Sequence, residues 1–385
     1  MNLICDLHIH SRFANACSKS ITVASLARAA KEKGVDLLGT GDFQHPRWLC
    51  ELERALCEDE GILRTEEGFP FVLQTELSLV YKKRGKCRRV HNVVLASSFD
   101  VAKQVQEYLK SKGRIDYDGR PILKIHCDEL VEELRSISRD IEIIPAHAWT
   151  PWYSVFGSKS GFDSLKEAFE DQERHIHAIE TGLSSDPEMN SKIGFLKGKA
   201  LVSSSDAHSA KNIGREATVF DIKKLTYKSL IRAIRNDRIV ETIEYHPESG
   251  KYHFDGHRAC NVRLSPKESK RLGGKCPKCK RGVTVGVASR VEELSCREKW
   301  KTKHFKHIIP LREIISKSLC IGEETKTAKM HYEKLIARFG SEFAVHKASR
   351  EELLKYAPKP LANAIKSKVK WSPGYDGRYG EPKFQ

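Results

Sequence analysis

The chain has 385 residues, 39% hydrophobic and 31% charged, which suits one large domain with smaller additions and excludes a disordered or fibrous chain. No apolar run reaches the ~18 residues of a membrane span, no basic segment followed by an apolar stretch marks a secretory leader, and eleven cysteines, mostly scattered singly, fit a reducing cytoplasm. The net charge of +16 is unevenly placed: residues 1–246 hold 36 Lys and Arg against 36 Asp and Glu, whereas residues 247–385 hold 31 against 15, as expected if one part performs chemistry and another neutralises phosphates.

The chain opens on a strand that carries Asp6-Leu7-His8-Ile9-His10. Alternation puts Asp6, His8 and His10 on one face, so two imidazoles stand side by side as metal ligands would. An isolated H-x-H also occurs by chance in strands, so its weight depends on partners elsewhere. Thr22 caps a helix over 23–33 that Gly34 ends. A strand over 35–40 stops at Gly41-Asp42, and a helix follows over 46–57. Strands are expected over 69–75, ending at Glu76, and over 90–96, carrying His91. Helices follow over 99–112 and 128–138. Further strands span 141–145, ending at Ala146-His147, then 176–179, then 201–203, which runs into Ser204-Ser205-Asp206-Ala207-His208. A helix over 225–234 closes the series. This alternation predicts a parallel α/β barrel over residues 1–244. In such barrels reactive residues gather at the C-terminal ends of strands, a rule that selects His8, His10, Asp42, Glu76, His147, Asp206 and His208.

Beyond residue 244 the alternation stops. Residues 245–300 contain His257-x2-Cys260 and Cys276-x2-Cys279, two knuckles that together offer a tetrahedral set to one structural zinc. Cys296 competes with His257 for the fourth place. Residues 301–385 form a basic segment with short helices over 311–319, 323–339, 350–356 and 360–369, too short to be stable unless packed together. The end, from Trp371 to Gly380, mixes aromatic, turn and basic residues, and suits either nucleic-acid contact or a strap across the helices.

Histidines and carboxylates converging on one barrel mouth are the wrong set for an activated Ser or Cys nucleophile. They suit two or three divalent ions (Zn, Mg or Mn), with Glu76 able to bridge two cations and Asp206, His208, Glu76 and His147 forming the catalytic set for phosphoester hydrolysis. Competing readings are a small-molecule phosphatase, which leaves the basic segment without a role, and a DNA-binding module with a vestigial barrel, which leaves the ligand set without one.

H-x-H at the start, the carboxylate after Gly39-Thr40-Gly41, Thr75-Glu76, His91 within a strand, Pro145-Ala146-His147 and Ser205-Asp206-Ala207-His208 resemble the motifs of the PHP (polymerase and histidinol phosphatase) superfamily. The resemblance implies a distorted (β/α)7 PHP barrel that holds up to three metals on His8, His10, Asp42, Glu76, His91, His147, Asp206 and His208. Two positions depart from it: Asp42 stands where many relatives have His, and no His or Asp lies near Ala16, which leaves His45 or a water to help hold a third metal. Nearly the whole chain also resembles the endonuclease Q family. The shared motifs are D-L-H-I-H-S-R, G-T-G-D-F-Q-H-P, A-H-A-W-T-P-W-Y-S, C-P-K-C followed by G-V-A-S-R-V-E-E-L, and P-G-Y-D-G. That resemblance implies a DNA repair enzyme that nicks double- or single-stranded DNA on the 5′ side of deaminated bases (uracil, hypoxanthine, xanthine) and abasic sites, leaving a 3′-hydroxyl and a 5′-phosphate.

Extruding a damaged nucleotide from a duplex costs a few kcal/mol. Trp149, Trp152 and Tyr153, just after His147, are candidates to stack on the extruded base. Arg12 is a candidate for holding a phosphate or, equally, for a surface salt bridge. Asp6 is expected to orient an imidazole from behind the ligands. No sliding-clamp peptide stands at the C-terminus, and a monomer in the cytoplasm, associated with the nucleoid, is expected.

Overall fold

The computed structural model describes residues 1–296 and 298–384. Seven strands form a ring: β1 (Asn2–Asp6), β2 (Leu37–Gly39), β3 (Pro70–Lys83), β4 (Lys86–Ala96), β5 (Glu142–Pro145), β6 (Ala178–Glu180) and β7 (Ala200–Val202). β1 pairs parallel with β2 and β2 parallel with β3. β3, β4 and β5 then pair antiparallel in sequence. Just past β5, the N–H of Ala148 donates to the carbonyl of Glu180 at 3.1 Å, and β6 pairs parallel with β7. A bridge between Ile9 and Ala207 returns the ring to the end of β1.

A wholly parallel barrel is therefore corrected to a mixed one in which β4 alone is reversed. β3 and β4 are joined by Arg84-Gly85, both with positive φ (53° and 75°). Two residues suffice for a tight hairpin, whereas a parallel connection needs a crossover of a dozen or more. His91 accordingly lies within a strand and not at a strand's C-terminal end.

The helices follow their local signals. Thr22 accepts from the N–H of Ser25 at the start of Val23–Lys33, and Gly34 ends it with φ 88°; Phe99–Lys112 is capped by Ser98. Their apolar faces, with those of Pro46–Ala55 and Cys127–Ile137, close over a core that includes Leu26, Trp48, Phe71, Leu109 and Leu134. A second cluster gathers Cys5, Leu37, Val72, Val93 and Ile144 with Tyr227 and Leu230 of the helix Tyr227–Arg235.

Outside the ring, β8 (Ala217–Asp221) pairs antiparallel with β1, and β9 (Ile239–Glu244) antiparallel with β8. β10 (His304–His307) adds parallel to β9, so the segment expected to be a helical C-terminal unit begins on the barrel's own sheet. The helices after it bury Leu311, Ile315, Tyr332, Leu335, Val345 and Leu361 together. The last residues act as the strap: Val369–Ser372 pairs with Glu381–Phe384. Between them, Gly374 exchanges backbone hydrogen bonds with Glu248 and Phe254 (2.8 and 2.9 Å), and Arg263 donates to Ser372 at 2.7 Å. No helix among the described residues is long and apolar enough to cross a membrane.

Candidate metal centre

The ring delivers its polar residues to one mouth. His8, His10, Glu76 and Asp206 each bring one ligand atom within 4.8 Å of the others, and so do Glu76, His91 and His147. Glu76, fully buried, belongs to both groups. Its Oε2 lies 3.2 Å from His10 Nε2 and 3.6 Å from His8 Nε2. Its Oε1 lies 2.8 Å from His91 Nδ1 and 3.0 Å from His147 Nε2. One carboxylate thus presents one oxygen to each group, as a bridge between two cations requires.

The chain turns back sharply where these residues project. Asp42, His147 and Asp206 all adopt positive φ (43°, 28° and 46°), which is strained for residues other than glycine and concentrates at functional sites. A Cβ on Gly182 would lie 2.6 Å from His147 Cα, so only glycine fits against that turn.

The imidazoles are aimed by carboxylates behind them. Nδ1 of His8 donates to Glu180 at 3.0 Å, and Nδ1 of His10 donates to Asp42 Oδ1 at 2.9 Å. Both Nε2 atoms then face inward. His8 Nε2, His10 Nε2 and Asp206 Oδ1 are buried and have no hydrogen-bond partner among the described residues. A buried polar group left so is unfavourable by roughly 1–3 kcal/mol, and three such atoms converging on Glu76 fit a divalent cation.

Asp6 does not orient an imidazole. Its two oxygens accept from the N–H groups of Ser205 (3.0 Å) and Gly214 (2.9 Å), bracing the loop that carries Asp206. Burial pushes its carboxyl up to about 6, against the pull of those hydrogen bonds. The orienting role falls to Glu180, which sequence reasoning missed, and to Asp42, which was expected as a ligand. With Oδ1 on His10 and Oδ2 on the N–H of Ser11 (2.6 Å), Asp42 stands outside both ligand groups. His208 also stands outside them; its ring lies 4.5 Å from that of His10, and Nδ1 donates to the carbonyl of Asp206 at 2.9 Å, leaving Nε2 free. His45 Nε2 donates to the carbonyl of Asp116 at 3.1 Å, and His45 belongs to neither group.

One candidate for nucleic acid is corrected. Trp149 is fully buried against Phe156, and its Nε1 donates to Asn190 at 2.8 Å, so it cannot meet a base. Arg12 donates to Glu51 at 2.6 Å and to the carbonyl of Ile21, so it makes the salt bridge that was one of its two expected roles, with 31% of its side chain exposed. Trp152 remains exposed, edge-on to Tyr252, and Tyr153 lies against His91 with ring centroids 4.8 Å apart. Arg120 was not singled out in the sequence. Its Nη1 donates to Glu76 Oε2 at 3.0 Å, and the side chain is 27% exposed at the mouth. The Asp118 carboxylate holds this loop by accepting from the N–H groups of Arg120 and Asn15.

At the other candidate site, His257, Cys260, Cys276 and Cys279 bring their ligand atoms within 4.8 Å of one another. Although burial opposes it, N–H groups of Cys279 and Lys278 bring the Cys276 thiol down to about 6, which favours the ligating thiolate. Cys296 is elsewhere, its thiol on the carbonyls of Lys192 and Glu298 (3.1 and 2.9 Å), so His257 takes the fourth place in the group.

Family models match at two places: "PHP-associated" over residues 196–239 and "MJ0043 C-terminal domain" over 310–368. The lesion-specific endonuclease PfuEndoQ from Pyrococcus furiosus is 33% identical, with a TM-score of 0.89 over all of this chain and 96% of that one. A structure of endonuclease Q in complex with a 27-mer duplex substrate, an abasic lesion at its active site, is 32% identical with the same TM-score, over all of this chain and 97% of that one. An uncharacterised Methanocaldococcus jannaschii protein, MJ0043, is 32% identical over 62% of this chain, which spans about a third (32%) of that protein's length.

Proposed function

We propose a specific reaction from one premise: the chain belongs to the endonuclease Q family of the PHP superfamily. It is a hydrolase of phosphodiester bonds, a lesion-specific DNA endonuclease dependent on divalent cations. Its cut falls on the 5′ side of uracil, hypoxanthine, xanthine and abasic sites, in double- or single-stranded DNA, and initiates repair. The enzyme acts as a cytoplasmic monomer, with residues 1–244 cutting and the zinc-bearing and basic segments holding the duplex.

The observation that carries this reading is Glu76 shared between two ligand groups, one of which contains three buried polar atoms with no partner among the described residues. His8, His10, Glu76 and Asp206 would hold one cation, and Glu76, His91 and His147 a second, with His208 Nε2 available at the rim; the ions would be Zn, Mg or Mn. His257, Cys260, Cys276 and Cys279 hold a structural Zn. Bound in the mouth, divalent cations supply an acidified water and offset charge on the leaving oxygen. Glu180 and Asp42 keep both Nε2 atoms facing inward, which fixes ligand geometry before any ion arrives. Arg120 is a better candidate than Arg12 to hold the phosphate, because its guanidinium already reaches the carboxylate shared by both ligand groups. Trp152 and Tyr153 flank the extruded base.

The test is a labelled duplex with one deoxyuridine, incubated with Mg²⁺ or Mn²⁺. A nick one bond 5′ of the lesion, lost in Asp206→Asn while DNA binding persists, supports the reading. Activity confined to free phosphomonoesters would make the protein a small-molecule phosphatase, and metal-loaded protein that binds DNA uncut would make the barrel vestigial.

A further inference from the structure

The barrel carries a cluster of basic residues at the end of its strands opposite the metal centre. Arg139 stands just before β5 and Arg174 just before β6, whereas His147 and Glu180 lie at the other ends of those strands. Arg135 lies near both and near Arg235; burial and these three like charges hold its guanidinium below the ordinary range. Arg235 continues the feature to Lys228 and Arg232 on the helix Tyr227–Arg235. The six line two grooves of about 700 and 290 Å³, in which Glu132 and Asp140 are the only acidic lining residues among the described residues.

Among the described residues, only Arg235 of these six has a carboxylate partner, Glu142 at 2.7 Å. Arg139, Arg174, Lys228 and Arg232 are exposed. Residues 1–246 balance their acids and bases overall, so this concentration is not a general solubilising surplus. Gathering unpaired like charges opposes folding, because they repel one another.

We propose that this end of the barrel is a second, sequence-independent nucleic-acid site that holds the phosphate backbone of a DNA segment other than the one being cut. Guanidinium forks match phosphate oxygens in pairs. Ile137 is half-buried and Ile231 buried, so the grooves offer no exposed apolar anchor of the kind an acidic peptide uses. Holding a second duplex behind the barrel lets the enzyme pass between DNA segments during its search. This rests on the reading of the chain as a DNA endonuclease.

The test compares the wild-type protein with Arg139→Gln/Arg174→Gln/Arg232→Gln, none of which lies in the metal centre. Sedimentation velocity with a short undamaged duplex should show two duplexes per wild-type protein at low salt. In the triple variant the second should weaken at least about 10-fold, with its log–log salt slope reduced by about 3. Nicking of a short lesion duplex should be unchanged. One duplex per wild-type protein, an unaltered second site in the variant, or occupation of the face by polyglutamate in preference to duplex would each overturn the proposal. If the wild-type protein fails to nick any lesion, the endonuclease reading falls, while the stoichiometry still decides whether this face binds DNA.

Discussion

Glu180 accepts from Nδ1 of His8 at 3.0 Å and, with the same carboxylate, from the backbone N–H of His147 at 2.7 Å. It therefore positions one residue from each ligand group without entering either. Glu180→Gln keeps the shape but removes the charge and one accepting oxygen. Its affinity for Mn²⁺, by calorimetric titration, should fall about 10- to 100-fold. Affinity equal to wild type would take Glu180 out of this role.

Arg120 and Glu76 are joined at 3.0 Å, with the arginine partly open at the mouth. In protein loaded with Mn²⁺, Arg120→Ala should lower kcat/KM for nicking about 100-fold and the salt slope of DNA binding by about 1. Arg120→Lys should restore part of the binding but not the paired geometry. Wild-type kinetics in the alanine variant would show that the residue only neutralises Glu76.

Lys33 and Glu342, 2% and 3% exposed, pair at 2.7 Å between the first barrel helix and the C-terminal helices. Glu342 also accepts from the N–H of Leu311 at 2.8 Å. Lys33→Met leaves a buried carboxylate without its cation and should destabilise by about 3–5 kcal/mol in urea unfolding. Lys33→Met/Glu342→Leu should recover much of that loss. A single variant as stable as wild type would contradict this account of the interface.

Burial raises the Glu244 carboxyl to about 8, although Thr181 and Ser203 donate to it at 2.9 and 3.1 Å. The fold therefore keeps a proton that the unfolded chain releases near 4.5. Below about pH 4.5 both states are protonated and this group contributes no pH dependence. Between about 4.5 and 8 it makes stability fall as pH rises, and above about 8 the loss is complete. Glu244→Gln removes the ionisation, so its thermal midpoint should exceed that of wild type at pH 8 by more than at pH 5. Parallel pH profiles for the two proteins would refute the assignment.

Much of the architecture was legible from local chemistry. The cap at Thr22 and the stop at Gly34 act within a few residues of the helix they bound, and the apolar spacing of 99–112 and 311–319 requires no knowledge of partners. Glu76, His147 and Asp206 stood out because strand ends in a barrel converge, whatever the details of closure. What each group touches was settled elsewhere. Glu180 lies 172 positions from His8, and nothing near it in the chain distinguishes it from any other strand carboxylate. Asp6 and Asp42 have the same side chain, yet one braces a loop and the other aims an imidazole. Trp149 sits two residues from a ligand and still turns into the core, while Trp152 stays outside. These outcomes depend on ring closure, on the reversal of β4 and on which polar atoms remain unpaired once water is excluded. Those are properties of packing between distant segments, whereas periodicity, capping and composition report only on neighbours along the chain.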